Sequence, residues 1–293
     1  MDEMDNIRHL YVIGNGFDIY HGVHSEYSRF EAWLVANDKT LYERLSECYN
    51  VNDDGEDNLW SDFERNLGYP NIKGFKAIHY ESFRLPVGPN YNVSIFQEHS
   101  SGNAFGRLKD DLAVAFKKWV KTLDISVCKK HPFLKDGEDV FYLTFNYTDT
   151  LEQVYNIPSE RILHIHGQAS KDDKLIFGSG RSMGTILWDE YGDEFPDTED
   201  EENLVRAVGS FTKNTQHQIN ENHKFFSCHK NLNSITVIGY SFSPIDGIYL
   251  DKLLNFNPQG LQWRISWHTK IDKVRITSFC EQHDIQNAVL FKL

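Results

Sequence analysis

Cysteine and basic charge are scarce in this sequence. Only four of the 293 residues are cysteines, and no two of them form a Cys-x-x-Cys pair, so the sequence indicates neither a zinc ribbon nor a redox dithiol. The chain has 30 lysine and arginine residues against 43 aspartate and glutamate residues. The resulting net charge of −13 repels phosphate backbones at long range, which makes nucleic acid a poor partner.

Long apolar runs are missing as well. No window approaches the roughly 18 consecutive apolar residues of a membrane span, and the N-terminal sequence MDEMDNIRHL has no basic segment followed by an apolar stretch. We therefore expect no membrane association and a cytoplasmic location. Scattered cysteines fit the reducing conditions there.

The chain does contain short apolar runs that alternate with segments of helical periodicity. Because β-α-β order favours a parallel sheet with helices on both faces, we predict an open, mostly parallel, Rossmann-like α/β fold. We expect the 293 residues to form a single α/β domain with a mostly helical insertion over 37–135. The runs interpreted as strands are Leu10–Ile13, Val140–Phe145, Arg161–His166, Ser234–Ile238, Leu261–Trp267 and Val289–Phe291.

Residues 140–167, VFYLTFNYTDTLEQVYNIPSERILHIHG, have the pattern of a strand, a short helix and a second strand. Asp149 and Glu152 have the spacing of a capping box at the start of the helix. Side chains alternate in the second strand, so His164 and His166 are predicted to share one face of the sheet.

Asn146 and His166 follow the carboxyl ends of these two strands. Open α/β sheets bind ligands at this edge, so the two side chains are predicted to face one cavity. An amide and an imidazole suit a reaction that orients a ribose hydroxyl or a water and moves one proton near neutral pH. The alternative explanations are a simple strand end at Asn146 and a hydrogen-bonded core histidine.

Glycines follow two other predicted strands. The first strand runs directly into Gly14-Asn15-Gly16-Phe17-Asp18, and the fourth into Gly239-Tyr240-Ser241. Glycine lets a backbone approach a phosphate or a ribose closely, and the Asp18 carboxylate suits sugar hydroxyls better than phosphate. A tight strand-to-helix turn would explain the first glycines equally well. Because four strand ends carry such motifs at one sheet edge, the sequence predicts a nucleotide-sized pocket there.

Taken together, these motifs resemble the bacterial abortive-infection AbiH family. The resemblance is carried, in this order, by VIGNGFDIYHG, WSDFE, LTFNYTDTLEQVYNI, LHIHG, LIFGSG, VIGYSFSPID and WRIS, which extend over nearly the whole chain. It implies a bacterial host, a function in phage defence and an activity that harms the infected cell. A phage-derived trigger is an implied partner, and a second copy of the chain is a further candidate partner.

A more distant resemblance is to the sirtuin-like NAD-binding fold, through Asn146-Tyr147, His166-Gly167 and Gly239-Tyr240-Ser241-Phe242. It implies that Asn146 orients water or the ribose, that His166 is the general base, and that Ser241 bonds ribose or phosphate. The Gly14 to Asp18 turn, with Gly167 and Gly239, would complete the dinucleotide site. The cysteine pairs of the sirtuin zinc module are absent, and Asp18 replaces a small hydroxyl residue, so protein deacetylation is not expected.

We therefore expect an NAD glycohydrolase that takes NAD as its substrate, carries no prosthetic group or metal, and breaks the nicotinamide–ribose bond. One alternative is a metal-dependent phosphoesterase or nuclease that uses His164, His166, Asp18 and Glu64, since His-x-His on a strand places two imidazoles side by side. The other alternative is a non-catalytic nucleotide-binding module with the same pocket.

Overall fold

Six parallel strands form one open sheet in the computed structural model. The strands are His9–Ile13 (β1), Val140–Thr144 (β2), Ile162–His164 (β3), Ser234–Ile238 (β4), Gln262–Trp267 (β5) and Ala288–Lys292 (β6). Their order across the sheet is β3-β2-β1-β4-β5-β6, which is the order of the doubly wound fold that binds dinucleotides. The predicted α/β fold with an open parallel sheet is confirmed.

The structure describes residues 7–51, 55, 58–71, 108–135, 137–191, 199–227, 231–255 and 260–293. The chain divides into two compact units. The first comprises Met1–Glu26, Val120–Ile176 and Asn214–Leu293 and contains the whole sheet, and the second comprises Tyr27–Trp119 and Phe177–Lys213. The insertion expected at 37–135 lies partly outside the described residues, so a single domain with an insertion there stays a prediction.

Helices make up most of the remaining described structure. In the first unit the helices are Asn15–Tyr20, Thr150–Tyr155, Thr215–Glu221, His223–Ser227, Pro244–Leu254 and Lys270–Gln282, with a short 3₁₀ turn at Ser159–Arg161. In the second they are Tyr27–Asn37, Lys39–Cys48, Phe63–Asn66, Met183–Tyr191 and Glu199–Ser210, and a further helix occupies 108–120. None of the helices within the described ranges combines the length and the hydropathy needed to cross a bilayer.

The two faces of the sheet are buried by different helices. Side chains alternate along each strand, so Leu10 and Val12 of β1 pack in one cluster and Tyr11 and Ile13 in the other. The first cluster contains three residues of the helix Pro244–Leu254, which follows β4, and the second contains Phe17 of the helix Asn15–Tyr20, which follows β1. The chain therefore leaves β1 and β4 toward opposite faces, which is the topological switch point of this fold.

Candidate functional site

The predicted residues lie at the carboxyl edge of the sheet. Thr144 of β2 pairs with His164 of β3, and Asn146 and His166 each lie two residues beyond that pair. The strand ends stay adjacent because the Phe145 amide donates to the Ile13 carbonyl oxygen at 2.9 Å. The ends of β1, β2 and β3 are thus held side by side.

Three glycines let the turns after β1 and β4 pack directly against each other. The Gly14 amide donates to the Ile238 carbonyl oxygen at 3.0 Å, and the Gly16 amide donates to that of Gly239 at 2.9 Å. A Cβ atom added at Gly14 would lie 2.6 Å from the Gly239 oxygen, and one added at Gly239 would lie 2.1 Å from the Phe17 nitrogen. The contact between the turns accounts for these glycines structurally, and their part in ligand binding stays a prediction.

The other predicted residues of the first turn use their side chains to hold the turn itself. The Asn15 amide donates to the Ser25 carbonyl oxygen at 2.9 Å, and the Ser25 hydroxyl donates to Asn15 Oδ1 at 2.6 Å. Phe17 is fully buried, and its ring centroid lies 4.2 Å from that of His21. The His21 ring nitrogens lie 2.7 Å from the Phe17 carbonyl oxygen and 2.6 Å from the Tyr155 hydroxyl. Asn15 and Phe17 therefore offer a ligand their backbone atoms rather than their side chains.

Asp18 and Asn146 form a buried polar cluster with two threonines. Asp18 is only 1 % exposed, and its Oδ2 accepts a hydrogen bond of 2.5 Å from the Thr148 hydroxyl. Burial raises the pKa of the Asp18 carboxyl group, and hydrogen bonds from Thr148, Thr150 and Asn146 oppose that rise. Within the described part of the chain, Asp18 Oδ1 and Asn146 Oδ1 have no hydrogen-bond partner. Two buried acceptors are thus left without a hydrogen-bond donor in this structure.

From the raised pKa of Asp18 we predict that the stability of the protein depends on pH. Because burial raises the pKa of the Asp18 carboxyl group, the folded protein binds a proton there more tightly than the unfolded chain does. This contribution to stability is complete below the usual carboxyl pKa of about 4 and is lost as pH rises through the raised value. Asp18→Asn removes this titrating group. As pH rises from the usual carboxyl pKa to the raised pKa of Asp18, the free energy of unfolding of the wild type should therefore fall relative to that of the variant. The fall should be at most about 1.4 kcal/mol per pH unit.

Urea unfolding of the wild type and Asp18→Asn at a series of pH values measures this difference. Asp110→Asn, which removes an exposed carboxylate, is the control and should show no such relative change. A difference between wild type and Asp18→Asn that is constant with pH would contradict the assignment.

The capping box predicted at Asp149 and Glu152 is wrong. Asp149 does precede the helix Thr150–Tyr155, but its side chain makes no capping hydrogen bond. Instead, Gln168 donates to Asp149 at 2.7 Å and to Glu152 at 2.9 Å. The loop after β3 supplies a competing donor, which local sequence spacing does not reveal.

His164 belongs to the same buried network. Its Nε2 lies 3.0 Å from Glu152 Oε1, and its Nδ1 lies 3.1 Å from the Asn146 carbonyl oxygen. Both ring nitrogens of His164 are therefore engaged with acceptors, and one of these contacts fixes the backbone of Asn146.

The prediction that His164 and His166 share one face is also wrong. β3 ends at His164, and the chain then turns, with the Gly167 amide donating to the His164 carbonyl oxygen at 3.1 Å. Gly167 has a φ of +84°, which favours glycine, and the turn breaks the strand alternation. The His166 ring instead contacts Phe145, with centroids 5.1 Å apart, and Tyr249, at 5.9 Å.

His166 is 2 % exposed, and its nearest charged partner is Asp246. The His166 Nε2 atom lies 3.4 Å from Asp246 Oδ1. Asn146 thus faces Asp18 on the side of the helix Asn15–Tyr20, whereas His166 faces Asp246 on the side of the helix Pro244–Leu254. A ligand that contacts both Asn146 and His166 must lie across the edge of the sheet.

Ser241 lies near the same edge in the turn after β4. Its side chain is exposed, and its carbonyl oxygen accepts a hydrogen bond of 3.4 Å from Arg275. Phe242 has a φ of +52°, an uncommon conformation for a residue other than glycine. The next residue, Ser243, caps the helix Pro244–Leu254 by accepting from the Ile245 amide. Contact of Ser241 with a ligand stays a prediction.

The residues of the alternative metal site do not all belong to one compact unit. Glu64 belongs to the second unit, where it accepts from Lys213 at 2.7 Å and from the Tyr27 hydroxyl at 3.1 Å. His164 and His166 face different carboxylates. Across the described ranges, no group of three or more histidine, cysteine, aspartate or glutamate residues could hold a metal ion.

Sequence reasoning missed four residues of the site: Thr148, Thr150, Glu152 as a partner of His164, and Asp246. The two threonines and Glu152 are within the stretch between β2 and β3, so their position gave a weak local signal. No local sequence pattern indicated Asp246, because only the packing of the helix after β4 brings this residue next to His166.

The sequence matches the model of a known protein family. The family model described as Bacteriophage abortive infection AbiH matches residues 10–267, which include β1 from Leu10 onward, the strands β2 to β5 and all the residues of the candidate site. No curated protein matches the chain.

Proposed function

The chain belongs to the bacteriophage abortive infection AbiH family, which indicates a role in abortive infection, and we propose that it acts there by hydrolysing NAD at the nicotinamide–ribose bond. The observation that carries the proposal is the polar cluster at the switch point of the sheet. Asp18 and Asn146 lie on one side of the carboxyl edge, and His166 and Asp246 lie on the other.

The fold supports a dinucleotide as the ligand. Sheets with this strand order bind dinucleotides in the crevice outside the carboxyl ends, where strand order reverses. Here that point lies between β1 and β4, and the touching glycine turns Gly14–Gly16 and Gly239 lie directly at it. Gly14, Gly16 and Gly239 have no side chain that would keep a pyrophosphate away from the backbone.

The unpaired acceptors support a ribose at the reacting end. Asp18 Oδ1 and Asn146 Oδ1 can each accept a hydrogen bond, and the 2′ and 3′ hydroxyls of ribose are two neighbouring donors. A buried acceptor left without a donor costs about 1–3 kcal/mol, so binding a sugar with both hydroxyls recovers that energy. When the Asp18 carboxyl group is ionised, its negative charge also favours the positive character that develops on the ribose as the bond breaks.

The reaction then needs one proton transfer. The C–N bond between ribose and nicotinamide breaks, and its electron pair leaves with nicotinamide, which becomes neutral. A water attacks the ribose carbon from the opposite side, and His166 accepts the proton that the water loses. The products are nicotinamide, ADP-ribose and a proton, which the imidazole returns to solvent.

Incubating the purified protein with NAD, alone and with extract from phage-infected cells, tests the proposal. Chromatography should show equal amounts of nicotinamide and ADP-ribose, and a chelator should leave the rate unchanged. Formation of nucleoside monophosphates, abolished by the chelator, would instead support a metal-dependent phosphoesterase. Binding of NAD with no product in either condition would support a non-catalytic nucleotide-binding module.

A further inference from the structure

The helix Pro244–Leu254 places the Asp246 carboxylate next to His166, the candidate general base. Ser243 and Pro244 start this helix, since the Ser243 hydroxyl accepts from the Ile245 amide at 3.4 Å and proline fits the first turn. The start of the helix places Asp246 in the first turn, where the helix dipole favours a negative charge. The carboxylate therefore has a position set by backbone structure rather than by a flexible loop.

The same helix also holds the imidazole ring. Tyr249 follows Asp246 by three residues, so both project from one side of the helix. The Tyr249 ring lies 5.9 Å from that of His166, which also contacts Phe145 and Tyr147 at 5.1 and 6.1 Å. With three aromatic rings around it, the imidazole has little freedom to rotate, and its Nε2 is held 3.4 Å from Asp246 Oδ1.

Other buried histidines of the first unit are arranged differently. His21 has both ring nitrogens engaged, one by the Phe17 carbonyl oxygen and one by the Tyr155 hydroxyl. His164 is held by Glu152 and the Asn146 carbonyl oxygen. In His166 the carboxylate faces only Nε2, so Nδ1 is left as the nitrogen that can take a proton.

We propose that Asp246 is the positioning residue of the reaction, and this rests on the proposed NAD hydrolysis. Its carboxylate holds the proton of neutral His166 on Nε2, so that the lone pair on Nδ1 faces the attacking water. When Nδ1 takes the proton of that water, Asp246 stabilises the imidazolium ion that forms. His166 Nε2 and Asp246 Oδ1 lie 3.4 Å apart and do not hydrogen-bond to each other in this structure, so the role requires this distance to shorten when the substrate binds, as is common for catalytic hydrogen bonds.

Kinetics of three variants test this role. Asp246→Asn keeps the shape and removes the charge, and it should lower kcat roughly 100-fold or more with KM within about twofold. Asp246→Glu should recover part of the loss. The matched control is Asp251→Asn on the same helix, where Asp251 lies 3.0 Å from His283, and it should change neither constant. An Asp246→Asn enzyme that keeps the wild-type kcat would overturn the proposal.

Nitrogen-15 NMR of the imidazole rings gives a readout that does not need turnover. The His166 signal, identified by its loss in His166→Gln, should show a protonated Nε2 in the wild type and in Asp251→Asn. In Asp246→Asn the amide group can donate to Nε2, so the proton should move to Nδ1. A wild-type proton on Nδ1, or no change in Asp246→Asn, would overturn the proposal. If the wild type shows this pattern but cleaves no NAD, the proposed function fails while the pairing stands.

Discussion

Alanine at Asn146 or at His166 is expected to lower kcat for NAD cleavage by about 10²- to 10⁴-fold. Asn146→Ala removes the proposed acceptor for the ribose, and it also removes an amide group that lowers the pKa of Asp18. His166→Ala removes the proposed general base, and general-base catalysis typically contributes a factor of this size. The measurement is the rate of nicotinamide release at saturating NAD.

Two control variants separate this effect from general damage to the fold. Asn287→Ala and His217→Ala remove the same side chains from exposed positions of the first unit and should retain wild-type kcat. The two site variants and the controls should show similar circular dichroism. If Asn146→Ala and His166→Ala cleave NAD as fast as the wild type, neither residue has the assigned role.

Gly239→Ala is expected to destabilise the protein by about 2–5 kcal/mol. Its φ of +64° is in the left-handed region, which costs about 1–2 kcal/mol for a residue with a Cβ atom. The added carbon would also lie 2.1 Å from the Phe17 nitrogen and 2.4 Å from the Gly16 carbonyl carbon. Both neighbours are backbone atoms, so relief requires the two turns to separate, and overpacking costs a further 1–3 kcal/mol or so.

Urea unfolding of the wild type and Gly239→Ala measures this loss. Gly247→Ala is the matched control, because an alanine Cβ there meets no atom within 4 Å and the residue lies inside the helix Pro244–Leu254. That substitution should be neutral or stabilising by up to about 1 kcal/mol. Equal stability of the Gly239→Ala protein and the wild type would show that the turns after β1 and β4 are not in contact.

The strands of the sheet could be predicted because strands buried on both faces are short apolar runs, and glycine or polar residues mark where these runs end. β2 and β4 are such runs: β4 ends at Ile238, as predicted, and β2 ends at Thr144, one residue before the predicted end at Phe145. The order of the strands across the sheet could not be derived in this way. β1 pairs with β4, and the two segments are separated by more than 200 residues, about which local periodicity contains no information.

The candidate site could likewise be predicted only in part. The residues that follow strand ends, such as Asn146 and His166, were placed at the correct edge because chain direction in a parallel sheet dictates it. Their partners were not, since Asp149 accepts from Gln168 instead of capping its helix and Asp246 reaches His166 only through tertiary packing. Side-chain partners depend on competition among donors that folding brings together.

Hydrogen exchange of the His166→Ala protein with and without NAD tests most directly whether this edge of the sheet binds a dinucleotide. We expect that variant to cleave NAD far more slowly than the wild type, so most of the complex should persist during the labelling. We predict slower exchange in peptides covering 13–18, 144–150 and 238–246, where the turns and the polar cluster lie. No change on adding NAD, or protection confined to 27–48 in the second unit, would contradict the account.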